Sequence, residues 1–518
     1  MTLPTEEKSN SELPSNPPSS LADDAEVAQP SKTDDAYPAD AFSLPRRTLF
    51  IASVCMSMFI NQLGLCNTLT TLSIIGDSFG ISDTGTLSWF MAGYSLTIGT
   101  FILIGGRLGD EFGNKKMFVM GMAWLSLWSL VAGLSVYSNH VLFVFARVFQ
   151  GMGPALTLPN ALGIFGKSFS EGPRNMAFAW FAASAPFGAM AGFVFGALFA
   201  TAWWPWIFWS EAIAVAFVAV FAAWTIPGLP LQEEERNLTI SQKLDRLDLP
   251  GGTTGVIALV LFNFAWNQAV VVTWREPYVY VCLILSFVFG ALFFYIEIRR
   301  ARHPILPVSA FTTDIIFVFA CTAAGWATFG IWLFYVVQTC LNIGGQTPLQ
   351  LAAWFAPILV TGVASALTVG KIIDRVPASY IMAVGQVAFL VTSILQALRP
   401  PDSIYWTYFF FATIIATIGM DTSLPAAIMI FSSTVARQYQ GMGASIVMTL
   451  VNYSISLGLG FAGTIETNIN HGGQTTTDLL NGYRGALWFS VGLTGLGTML
   501  SLIYLFKTQL RAKSDGEH

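Results

Sequence analysis

Two side chains stand out because an apolar chain has no cheap way to carry them. Asp421 lies in the middle of "TIIATIGMDTSLPAAIMI" (413–430), and Arg147 opens "RVFQGMGPA" (147–155). A carboxylate at the centre of a membrane helix costs roughly 2.5 to 3.5 kcal/mol on insertion scales. Residues of this kind face protein or water, not lipid, and carry function by default. The chemistry open to a lone carboxyl group is to take and release a proton. Closing a cavity around it favours the neutral form, and opening the cavity to water reverses that. Arg147, Gln150 and Gly151 share one helix face by their spacing. Arg147 corresponds to position 413 in an internal repeat, about 12 Å of helix rise from Asp421, so a permanent contact is not required. The competing reading of "MDTSLP" is that Asp421 caps a helix broken by Pro425.

The elements that hold these groups follow from composition. The chain has 518 residues, 54% hydrophobic and 11% charged, with mean hydropathy +0.60, against about a quarter charged in a soluble domain. About fourteen apolar runs reach the roughly 20 residues that cross a hydrocarbon core. They lie near 49–75, 86–106, 117–137, 141–165, 176–200, 206–226, 250–272, 278–298, 313–337, 350–373, 379–398, 404–430, 441–465 and 485–506. Such runs satisfy their own backbone only as helices. With both termini inside, 21 of the 25 Lys and Arg fall on the cytoplasmic face, as the positive-inside rule requires. Only Arg275, Arg399 and Arg484 fall outside.

The chain repeats itself. "GPALTLPNALGIF" from Gly153 and "GMDTSLPAAIMIF" from Gly419 share Gly, Leu-Pro, Ala and Phe at an offset of 266, and the register continues from Met176 and Gly192 to Met442 and Gly458. "GRLGDEFGNKK" (106–116) is echoed by "GKIIDRVPAS" (370–379). The copies run in the same direction, the plan of two parallel repeats about an axis along the membrane normal. The expected organisation is a disordered tail (1–45), a six-helix bundle (46–226), a cytoplasmic loop (227–249), two inserted helices (250–298), a second six-helix bundle (299–506) and a tail (507–518).

On these motifs the chain resembles the major facilitator superfamily, specifically its fourteen-span drug:proton antiporters. The resemblance covers roughly residues 46 to 506. It implies an all-α membrane protein of two six-helix halves plus two inserted helices. "GRLGDEFGNKK" is similar to the signature between spans two and three, with Gly106, Asp110, Gly113, Lys115 and Lys116 in place and Asn114 where a base is usual. That assigns conformational gating to these residues and to Asp374 and Arg375 of the echo. "RVFQGMGPA" resembles the fourth-span motif. Span five has Ala185-Pro186-Phe187-Gly188 where the subgroup has Gly-Pro, which adds Pro186 and Gly188 to the gate. Span one, "FINQLGLCNTLTTL", lacks the acidic residue that many bacterial members carry, so any proton site lies elsewhere. Stretches such as "NFAWNQAVVVTW" and "VNYSISLGLGFAGTIE" resemble fungal exporters of the aminotriazole- and boron-resistance type.

The expected function is therefore proton-coupled export of small toxic compounds, azole-like molecules or borate, by alternating access. Asp421 and Arg147 serve the proton, and Gln62, Asn67, Gln150, Trp326, Trp332, Asn452 and Tyr453 serve the substrate. The alternatives are an uncoupled facilitator or importer of a small polar solute, and a non-transporting sensor. No enzymatic activity and no cofactor is expected, the proton gradient supplying the energy. Partners reduce to lipid, protons and a small molecule, with the chain a monomer in the plasma membrane or, alternatively, the vacuolar membrane. Five scattered cysteines form no disulfide framework, and four scattered histidines offer no metal cluster. "ALGIFGKS" (161–168) mimics a phosphate loop but follows no strand.

Overall fold

A computed structural model describes residues 37–228, 239–301, 304–305, 311–373, 375–435 and 443–516. Among them there is no strand, and fourteen helices are long and apolar enough to cross a bilayer. We number these α1 (Leu44–Cys66), α2 (Thr84–Phe112), α3 (Asn114–Leu134), α4 (His140–Ser168), α5 (Glu171–Ala202), α6 (Pro205–Thr225), α7 (Leu249–Val272), α8 (Pro277–Arg299), α9 (Thr313–Gln338), α10 (Pro357–Ile372), α11 (Ala378–Ala397), α12 (Phe409–Thr434), α13 (Gly443–Ile469) and α14 (Thr476–Gly516). Each overlaps one expected apolar run.

Local chemistry sets many of the ends. Proline occupies the first turn of α1, α6, α7, α8 and α10, where its missing N–H and fixed φ cost nothing. Asp83 and Asn139 accept from the backbone N–H groups of Thr86 and Leu142 to cap α2 and α4. Pro425 does not break α12, which runs continuously from Phe409 to Thr434. Lacking an N–H, it deprives the Asp421 carbonyl, four residues back, of its helical donor.

Packing repeats with the sequence. In the first half α1 packs on α5 and α6, α2 on α4, and α3 on α4 and α6. Raising every number by eight gives the second half: α9 packs on α13 and α14, α10 on α12, and α11 on α12 and α14. The halves meet along two seams, α2 with α13 and α5 with α10, which the same operation exchanges. Glycine allows both. A Cβ at Gly99 would lie 2.5 Å from the Tyr453 nitrogen, and one at Gly362 would lie 3.0 Å from Pro186.

The inserted pair breaks that symmetry. Helix α7 packs on both α2 and α13, whereas α8 packs chiefly on α7. Only 11% of the apolar window of α8 is buried, so it presents itself to lipid. Polar side chains hold α7 in place. The Ser456 hydroxyl of α13 has a single proton to share between Asn263 Oδ1 (3.0 Å) and Ala92 O of α2 (2.9 Å), Asn267 donates to Ser456 O (3.2 Å), and the Tyr453 hydroxyl donates to Leu259 O (2.9 Å).

On the face away from most basic residues the halves are closed together. The turn Leu69–Thr71 after α1 meets α9 and the short helix Pro348–Trp354. Phe193 of α5 stacks on Phe355 at 4.5 Å.

Candidate functional site

The second half contributes Asp421 from the middle of α12. Its Oδ2 is buried and has no hydrogen-bond partner among the described residues. The Ser365 hydroxyl of α10 faces the carboxylate. The position equivalent to Arg147 is Thr413, fully buried and hydrogen-bonded to Phe409 O (2.7 Å), so this half supplies no cation there. Asp421 stands next to the seam: Ser365 is one turn along α10 from Gly362, which abuts Pro186 of α5.

The first half contributes a denser polar cluster. Arg147 is fully buried. Its Nε donates to Phe90 O (2.9 Å), Nη1 to Gln150 Oε1 (2.8 Å), and Nη2 to Gly64 O (2.7 Å) and Thr68 Oγ1 (3.2 Å). The Tyr94 ring lies under it at 4.6 Å. Gln150, also fully buried, passes the chain of bonds on to Ser129 Oγ (2.7 Å). These partners all belong to the first half, and Asp421 is not one of them.

One residue of this cluster is absent from the expected set. Glu211 of α6 reads as lying near a helix end within reach of water, yet it is only 5% exposed. Asn67 Nδ2 donates to its Oε2 (3.0 Å), while Oε1 has no hydrogen-bond partner among the described residues. A signal was present in the sequence: Glu211 is the sole charged residue between Arg174 and Glu233.

The expected substrate residues divide. Gln62 is half-buried and accepts from Asn61 Nδ2 (3.0 Å). Asn67 and Gln150 are spent on Glu211 and Arg147, and Tyr453 on α7. Asn452 is 8% exposed and donates to Met448 O (3.0 Å). Trp326 and Trp332 of α9 are buried, each with an indole N–H that has no acceptor among the described residues. Both lie in the aromatic layer that includes Phe329, Phe355 and Phe389.

The expected gate residues sit on the basic face. Gly106 abuts Ser445 of α13 and Pro159 of α4. Gly113 turns the chain at φ 101° between α2 and α3, a conformation open to glycine without strain. Asp110 lies 3.7 Å from the Lys167 ammonium, and Lys115 donates to Ile226 O (2.6 Å). Lys116 is exposed. Asn114, where a base is usual, donates to Asn160 Oδ1 (3.0 Å) and accepts from Lys167 (2.8 Å). Pro186 is buried, and a Cβ at Gly188 would collide with Phe59 O. Arg375 is exposed, and Asp374 lies outside the described residues. Among the described residues no His, Cys, Asp and Glu gather as a metal site.

Comparison with known proteins places this geometry. Residues 54–336 match the Major Facilitator Superfamily. "Efflux pump terG" of Aspergillus terreus is 64% identical over 96% of this chain and 94% of its own. The "Low affinity ammonium transporter" of Saccharomyces cerevisiae is 46% identical over 92% of each. The "Aminotriazole resistance protein" of the same yeast is 38% identical over 90% of this chain and 85% of its own. Among solved structures, a peptide transporter POT in complex with sulfate superposes with a TM-score of 0.63 at 16% identity, covering 89% of this chain and 94% of that one. At that identity the likeness concerns the fold alone.

Proposed function

The chain belongs to the Major Facilitator Superfamily, and from that premise we propose that it is a proton-coupled antiporter exporting small toxic compounds of the aminotriazole class. It is an integral membrane transport protein and not an enzyme. Two relatives that it matches along most of their length are named as an efflux pump and a resistance protein, which supports the outward direction. The observation that carries proton coupling is the Asp421 carboxylate, in the middle of α12, with one buried oxygen unpartnered and no cation beside it among the described residues. Substrate and proton then compete for the space between the halves, and a proton gradient drives export. The basic face is the cytoplasmic one, and the membrane is the plasma membrane.

Purified protein in proteoliposomes with an imposed pH gradient tests this with labelled aminotriazole. Gradient-driven movement in wild type, lost in Asp421→Asn while exchange survives, is the expected outcome. Movement indifferent to the gradient overturns it.

The similarity to an ammonium transporter favours a second reading, passage of a small polar solute without coupling. Ammonium flux in the same vesicles at equal pH on both sides separates the two.

A further inference from the structure

The Glu211 cluster asks for an account of its own. A buried carboxylate costs several kcal/mol unless it is paired and fully hydrogen-bonded, and Glu211 is neither. The nearest cation, Arg147, spends its donors on Phe90 O, Gln150, Gly64 O and Thr68, and forms no ion pair with Glu211 within 4.0 Å. The two charges nonetheless flank one residue. Arg147 Nη2 is bonded to Gly64 O, and a Cβ at Gly64 would lie 3.2 Å from Glu211 Oε1 and 2.9 Å from the Tyr94 hydroxyl.

The ionisable groups facing Glu211 are Arg147 from α4 and Tyr94 from α2, and Tyr94 in turn faces Cys66 at the end of α1. From α3 comes the Ser126 hydroxyl, bonded to Ala212 O (2.8 Å). From α5 come Gly192 and Gly196, which press on Asn67 and fix the one donor the carboxylate has. No second acid shares the pocket among the described residues, so nothing there competes for the proton.

We infer that Glu211 is a proton-binding site of the first half, separate from Asp421 in the second. Glu211 is the seventh residue of α6, about 9 Å of rise from its start, on the closed face. Asp421 is the thirteenth residue of α12, about 18 Å from its start. A proton from water on that face forms the O–H bond at Oε1. It leaves as hydronium on the other side when the halves rock, and the Arg147 guanidinium then faces the carboxylate. The inference rests on the antiport reading only for its use; the site itself stands without it. A transporter so built takes two protons per cycle, one in each half.

Infrared difference spectra of the lipid-reconstituted protein, recorded between acid and alkaline pH without substrate, test the site directly. Wild type is expected to show carboxylic C=O bands from buried groups. Glu211→Gln removes one and Asp421→Asn removes another, while Glu211→Asp keeps a band at a changed position. Asn67→Ala moves the Glu211 band to higher frequency, since the carboxyl group loses its donor. Unchanged bands in Glu211→Gln overturn the inference and leave Asp421 untouched. Loss of every band in that variant also overturns it, because the two sites would not be separate. Elution as a single monodisperse peak certifies each variant before it is measured.

Discussion

The two halves share a packing plan and part of a sequence register, but their cores have diverged where it matters. Register positions 147, 150 and 155 carry Arg, Gln and Ala in the first half; positions 413, 416 and 421 carry Thr, Ala and Asp in the second. The first half thus holds its charge in a knot of six or more partners, and the second holds an almost bare carboxylate. A saturated cluster resists rearrangement because each member leaves another unsatisfied when it moves. A single carboxylate with one hydroxyl partner, Ser365, has no such anchor. Duplication supplied one scaffold, and substitution at three register positions gave its copies different polar interiors.

This contrast can be broken by mutation. The largest effect is expected from Arg147→Ala, which strips Gly64 O, Gln150 and Thr68 of their donor and removes the one cation near Glu211 among the described residues. Loss of one partner from a buried charged set costs about 3–5 kcal/mol, so thermal unfolding in detergent should drop sharply. The register-equivalent Thr413→Ala should cost under about 1 kcal/mol. Next comes Gly64→Ala, whose methyl group meets Tyr94 and Glu211; overpacking costs about 1–3 kcal/mol, read by the same melt. Asp421→Asn should leave stability within about 1 kcal/mol of wild type and remove gradient-driven transport, the reverse of the Arg147 phenotype. Tyr453→Phe deletes the bond to Leu259 O and should cost about 0.6 kcal/mol. Smallest is Asp110→Ala, since Asp110 is 65% exposed and solvent screens its pair with Lys167. A melt unchanged in Arg147→Ala would erase the distinction between the halves.

Much of the fold was legible because lipid imposes a single rule on long apolar runs, from which the fourteen spans follow, while the internal repeat gave the two-half plan. Asp421 was legible as a charge inside an apolar run, and the offset of 266 gave its counterpart in the first half. Glu211 was not legible from position alone. Five residues into an apolar run, a carboxylate reads as a terminal group with access to water. What buries it is tertiary: Asn67, the residue that follows α1, donates to it across 144 residues of sequence, and no local pattern in α6 records that neighbour. Tyr453 is the opposite case. An aromatic hydroxyl in a span suggests a ligand, but its partner is a carbonyl of α7, and periodicity gives no hint of which neighbour an inserted helix will choose. The continuity of α12 through Pro425 likewise depends on neighbours that no local pattern records.

Helix α7 lies along one of the two seams and not the other, like the spine of a book sewn on a single edge. The covers can then part widely only along the unsewn edge, where Pro186 rests on Gly362. Ser365 and Asp421 lie beside that unsewn edge, so the carboxylate proposed to carry the proton sits next to the looser of the two bindings.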